Sequence, residues 1–195
     1  MNYSIYAEST PNPHVMKFVA NRMLADKNLE INTMEEARGI SIAEELLKFP
    51  FIKSIYISSN FLSITKNEEI EWENIAMQLR VFIADHLNSN KIKNYTENIS
   101  TSKKVFTDKL DNENEKIFTK KEQKIEAILN EYIAPAVESD GGAITLKYYK
   151  DNIVCVDLKG ACSGCPSSTS TLKGGIETLL RKKVDANIEV IANEK

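Results

Sequence analysis

The chain has 195 residues, 42% of them hydrophobic, and a net charge of −3, enough for one large domain or two small ones. No stretch is basic enough to supply the electrostatic footprint of nucleic-acid binding, and no apolar run approaches the ~20 residues that cross a bilayer. Met1–Thr10 carries no basic stretch followed by an apolar run, so the expectation is a soluble cytoplasmic protein. Three cysteines are too few for a disulfide framework, and in a reducing compartment a CxxC pair reads as metal-binding or redox-active.

In chain order, Ser4–Glu8 and Val15–Ala20 are predicted strands, separated by the turn-forming Thr10-Pro11-Asn12-Pro13. Thr33 and Glu36 have the spacing of a capping box, which predicts a helix start, and Ile42, Leu46 and Phe49 predict a second helical stretch over Ile42–Phe49. Ile55 and Ile57 face Leu62 and Ile64 across Ser58-Ser59-Asn60, a hairpin pattern of period two. Trp72, Ile75, Leu79, Ile83 and Leu87 then follow the 3.6-residue period of a long amphipathic helix. The first segment, residues 1–90, reads as a small α+β domain of ββαββα type.

Residues 91–119 are rich in Asn, Lys, Glu, Ser and Thr. The apolar surface there is too sparse to offset the entropy of ordering it, so a flexible linker is expected; Val105 and Phe106 are the alternative as a partner-docking pair. The last segment, residues 120–195, opens with an amphipathic helix carrying Ile125, Ile128, Leu129, Ile133 and Val137 on one face. Pro135 lies inside it and predicts a kink or an early end. Asp140-Gly141-Gly142 breaks the chain, and Ala143–Tyr149 and Ile153–Leu158 form a predicted hairpin around Lys150-Asp151-Asn152. A helix over Pro166–Val184 and a strand over Asn187–Ala192 complete an α-β-β-α-β order, one sheet face covered by two helices.

The strongest chemical signal is Gly160-Ala161-Cys162-Ser163-Gly164-Cys165-Pro166. A CxxC spacing lets one short turn aim two thiolates at one metal or cluster. Pro166 suits the first helical position, which points the positive end of that helix at the sulfurs and favours thiolates and anionic cargo. A cluster or a closed zinc site takes four ligands, and this loop supplies only Cys162 and Cys165. Cys155, on a predicted strand, reads as a small apolar filler, while His14 and His86 lie in the other domain. Two chains meeting across a two-fold axis would bring four cysteines together, in an open site suited to loading and handing over a cluster.

Ser139-Asp140-Gly141-Gly142, Leu158–Ser168 and the Thr171-Leu172-Lys173-x-Gly175-Ile176-Glu177 stretch closely resemble the C-terminal domain of NifU and the Nfu-type proteins. The first segment is similar to the N-terminal domain of two-domain Nfu proteins, through Glu8-x-Thr10-Pro11-Asn12-Pro13, Lys17-Phe18, Glu36-Ala37, Ile52–Ile57 and Ile64-Thr65-Lys66 leading to Trp72. The resemblance implies a scaffold or carrier, not an enzyme, for a [4Fe–4S] cluster bridged by Cys162 and Cys165 of each of two subunits. It also implies an assembly scaffold as donor and apo iron–sulfur proteins as recipients. Spacing alone leaves a [2Fe–2S] form open.

Two other classes compete. A thiol–disulfide oxidoreductase also uses CxxC at a helix start, but the thioredoxin-like βαβ context and a flanking aromatic are missing. A zinc-stabilised interaction module meets the same shortage of ligands, and its mark would be stoichiometric zinc whose removal unfolds the domain.

Overall fold

The computed structural model describes residues 2–89, 119–163 and 166–193. The chain divides into two compact units, Met1–Asn114 and Glu115–Lys195.

In the first unit β1 (Ile5–Ser9), β2 (Val15–Ala20), β3 (Leu29–Ile31), β4 (Ile52–Ser58) and β5 (Phe61–Lys66) form an antiparallel sheet in the order β1-β2-β5-β4-β3. The hairpin register pairs Ile55 with Ile64 and Ile57 with Leu62, as the period-two pattern requires, and Ser59 turns the corner at φ 47°. Two helices, α1 (Ser41–Leu46) and α2 (Trp72–Asn88), supply Ile42, Leu46, Ile75, Leu79, Ile83 and Leu87 to one buried cluster with Phe18, Ile55, Ile57, Leu62 and Ile64. The Trp72 indole N–H donates to the Pro13 carbonyl at 3.0 Å, pinning the start of α2 to the Thr10–Pro13 turn.

Three sequence expectations change here. The sheet gains a strand, β3, too short at three residues to show a period; it exists because it pairs with Ile55–Ile57 and because Ser58 donates to Asn28 at 2.7 Å just before it. Thr33 does accept from the Glu36 amide at 3.3 Å, but the Glu36 carboxylate takes the Asn32 amide instead. The chain turns towards Gly39, at φ 82°, rather than entering a helix. Finally, α1 stops at Leu46 rather than Phe49: Pro50 disfavours helical geometry in the residue before it, and the Phe49 amide closes a tighter turn onto Leu46 at 3.0 Å.

The expected linker and its alternative as a docking pair, Val105 and Phe106, lie outside the described residues.

The second unit begins with α3 (Lys120–Ile128), opened by a full capping box in which Thr119 and Glu122 satisfy each other's backbone amides. Pro135 does not end the helix. A π turn over Leu129–Ile133 precedes it, and α4 (Ala134–Ser139) continues beyond. The wider turn moves the Glu131 carbonyl out of the way of the proline ring, which a regular α-turn would drive into it.

Next come β6 (Gly142–Lys150), β7 (Ile153–Gly160), α5 (Pro166–Lys183) and β8 (Glu189–Ala192). The sheet order is β6-β7-β8, with β6 and β7 antiparallel and β8 parallel to β7, a connection that needs the α5 crossover. Asp151 and Asn152 both have positive φ, 50° and 63°, as the tight primed turn between β6 and β7 demands. Ile125, Ile128, Val137, Ile144, Val154, Val156, Ile176, Leu180 and Val190 close the core. The fold is therefore mixed α and β in both units.

Candidate functional site

The cysteine loop leaves β7 at Gly160, whose φ of 61° turns the chain back across the start of β6. Gly160 pairs with Gly142 in the ladder, and the Ala161 amide donates to the Gly141 carbonyl at 3.1 Å. The Ser163 amide returns to the Gly160 carbonyl at 3.1 Å, closing a short turn with Cys162 inside it. Cys162 is 5% exposed and packs with the hydrophobic core of the unit.

What holds that thiol in place is the absence of a side chain opposite. A Cβ on Gly142 would lie 2.9 Å from Cys162 Sγ, 3.1 Å from its amide nitrogen and 2.7 Å from the Lys159 carbonyl oxygen. Gly141 sits at φ 83°, a conformation costly for any side-chain-bearing residue. The Gly-Gly pair reads in the sequence as a chain break. In the fold it is the seat of the cysteine loop, and only the ladder between β6 and β7 brings the two together.

Gly164 and Cys165, the second predicted ligand, lie outside the described residues; α5 begins at the next residue, Pro166. The helix N-terminus thus follows the CxxC pair directly, and Arg181, Lys182 and Lys183 occupy its last turn, where cations suit the negative end. Glu177 ties α5 to the sheet: it accepts from the Val190 amide at 3.0 Å and pairs with Arg181 at 2.8 Å. Arg181 in turn donates to the Ile188 carbonyl at 2.7 Å.

Cys155 is kept away from this loop. Its neighbours Val154 and Val156 join the core that holds Cys162, whereas Cys155 points to the other face of the sheet, 2% exposed and beside Tyr148. A bulge between Leu146 and Tyr148 reverses the alternation of β6 and places the phenol there; the Cys155 sulfur beside it raises the pKa of Tyr148 above its ordinary value. His86 is held by contacts within its own domain, since its Nε2 lies 3.0 Å from Ser41 Oγ and its ring stacks on Phe82. Among the described residues no three His, Cys, Asp or Glu side chains gather as a metal site.

Residues 5–90 match the family model of the Nfu/NifU scaffold protein N terminus, and residues 125–191 match the NifU-like domain. The chain belongs to the two-domain Nfu-type family. It is 30% identical over 179 residues to the human NFU1 iron-sulfur cluster scaffold homolog, mitochondrial, covering 91% of this chain and 66% of that protein. Drosophila ananassae has a protein of the same name at 29% identity over 92% of this chain and 60% of its own length. The mitochondrial NifU-like protein 4 of Arabidopsis thaliana is 27% identical, over 90% of this chain and 61% of that protein. The chain thus spans somewhat less than two thirds of the length of these Nfu relatives. Their names overturn the expected cytoplasmic location: each is called mitochondrial.

Proposed function

We propose that this Nfu-type chain carries an iron–sulfur cluster as cargo, a [4Fe–4S] form held between two copies by Cys162 and Cys165 of each, and passes it to apo-proteins. The observation that carries the reading is the seating of Cys162 by Gly141 and Gly142, four positions before the start of α5 at Pro166. Such a seat fixes one of the two thiols at the edge of a core, leaving Cys165 and the same pair of a second copy to complete the coordination sphere. The positive end of α5 favours the anionic sulfurs and an anionic cluster.

Transfer on this reading is ligand exchange. Iron–thiolate bonds to Cys162 and Cys165 break as bonds to recipient thiolates form, the freed thiolates take up the protons that the recipient thiols release, and no electrons change hands. No turnover is assigned to the chain. The domain over residues 1–90 would recognise donors or recipients, with residues 91–119 as the tether and 120–195 as the carrier.

Anaerobic loading with iron and sulfide, quantified per dimer alongside Mössbauer spectra, tests the proposal. Four iron and four sulfide per dimer are expected, with Cys162→Ala and Cys165→Ala each abolishing retention and Cys155→Ala preserving it. A loaded species that is strictly monomeric would sink it. So would protein that stays colourless yet cycles disulfide substrates.

A further inference from the structure

In the sheet of the first unit β1 is an edge, with no strand beyond it among the described residues. The Asn21 amide donates to the Ser4 carbonyl at 3.2 Å, which sets the phase of the antiparallel ladder with β2. Tyr6 and Glu8 therefore turn both backbone groups towards β2, and those of Ile5 and Ala7 point to the open edge. The usual guards of an exposed edge are missing. The register with β2 runs without a bulge, and Ile5–Ser9 holds no Pro or Lys. Its one charge, Glu8, lies on the face away from Ile5 and pairs with Lys17 at 3.7 Å. Beside this edge runs a groove of about 290 Å³, with Ile5 and Tyr6 on one wall and Arg80, Val81 and Ala84 of α2 on the other. Its surroundings are apolar and open: Tyr6 is 61% and Val81 47% exposed, and Met77, one turn before Val81 on the same face of α2, is 63% exposed. The Arg80 guanidinium makes one long bond, from Nη1 to the Ile5 carbonyl at 3.4 Å, while its Nε is shut off from water without an acceptor. Among the described residues no carboxylate pairs with it. A guanidinium so placed has donors left over for an acceptor that enters the groove.

We propose that this groove takes an extended segment of another protein as a further strand on β1, with one carboxylate side chain on Arg80 and an apolar side chain two residues away on Val81 and Met77. The assignment rests on the reading of residues 1–90 as the recognition domain and gives that domain a place and a ligand chemistry. Main-chain bonds to Ile5 and Ala7 supply affinity that any sequence shares, while the guanidinium and the apolar stripe select among sequences. Strand alternation sets the spacing, since residues two apart face the same side, here the side that α2 occupies. A second copy of this chain fits less well. Its β1, added edge to edge, keeps Ile5 on the α2 side and Glu8 on the other, so it brings no carboxylate to Arg80. Asp85 lines the same groove and repels a run of acidic residues. One carboxylate among apolar neighbours is the ligand that fits.

The test uses the full chain and a library of end-blocked octapeptides that alternate valine or leucine with threonine and carry a single aspartate or glutamate on the apolar side. Members that bind are expected, and replacing their carboxylate by its amide counterpart, or Arg80→Gln in the protein, should each weaken binding about ten-fold. Ala7→Pro removes a donor from the open edge without touching the ladder to β2, and should weaken binding as much. Thermal melting and iron retention should stay at parent values in both variants. Iron retention is a separate readout: its failure in the parent chain sinks the carrier reading and leaves peptide binding measurable, whereas absent peptide binding sinks only the groove. No binding by any member up to about 1 mM overturns the proposal. So does binding indifferent to both Arg80→Gln and the amide peptides, and so does self-association that Ala7→Pro abolishes, which assigns the edge to a second copy. Should one variant fail to fold, the other variant and the amide peptides on the parent chain decide.

Discussion

A single missing methyl group governs the cysteine loop. Because a Cβ at position 142 would fall 2.9 Å from Cys162 Sγ and 2.7 Å from the Lys159 carbonyl, Gly142→Ala must push the loop off its seat. The expected cost is about 1–3 kcal/mol of stability, by overpacking against backbone, together with loss of cluster retention. Thermal melting and iron content read the two effects separately. Cys155 predicts the opposite pattern. It is buried on the other face of the sheet, so Cys155→Ala should cost about 1 kcal/mol through a small cavity and leave iron content unchanged. Loss of iron in that variant would mean that Cys155 is a ligand and that the count of two cysteines per chain is wrong.

Helix starts and turns carry the next set of expectations. Thr119 and Glu122 form the capping box of α3, and Glu122 also accepts from the Tyr149 amide at 3.2 Å, so the cap fastens the helix to β6. Thr119→Ala should lower stability by about 1 kcal/mol, measured by chemical denaturation. Lys121, in the first turn of α3, reaches Asp185 at 3.1 Å. The Asn187 amide and the Lys121 ammonium hold the Asp185 carboxyl below its ordinary pKa. A depressed carboxylate stabilises the fold above its unfolded pKa, and that contribution fades as pH falls through the folded one. Asp185→Asn should therefore be less stable than the parent at neutral pH, with the gap closing in acid; a gap that stays constant with pH would refute the linkage. Both groups are open to solvent, so salt should shrink the effect as well.

At the scale of the whole molecule, the proposed division of labour predicts a change of mass. Loading with iron and sulfide should convert monomer to dimer in sedimentation, and stripping the cluster should reverse it.

Much of this protein is written locally. The alternation of Ile55, Ile57, Leu62 and Ile64, the helical stripe from Trp72 to Leu87, and the CxxC pair with Pro166 each depend on neighbours within one turn or one hairpin. Sequence alone therefore determined both mixed domains and the α2 and α5 helices. The strand at Leu29–Ile31 was not legible, because three residues show no period and only pairing with β4 makes them a strand. Nor was the clash that reserves position 142 for glycine, or the burial of Lys17, Tyr56 and Phe61 on the sheet's outer face, since both arise between residues far apart in the chain. Periodicity reports which face of an element is apolar; what that face meets, and how closely, is decided only when distant segments are brought together.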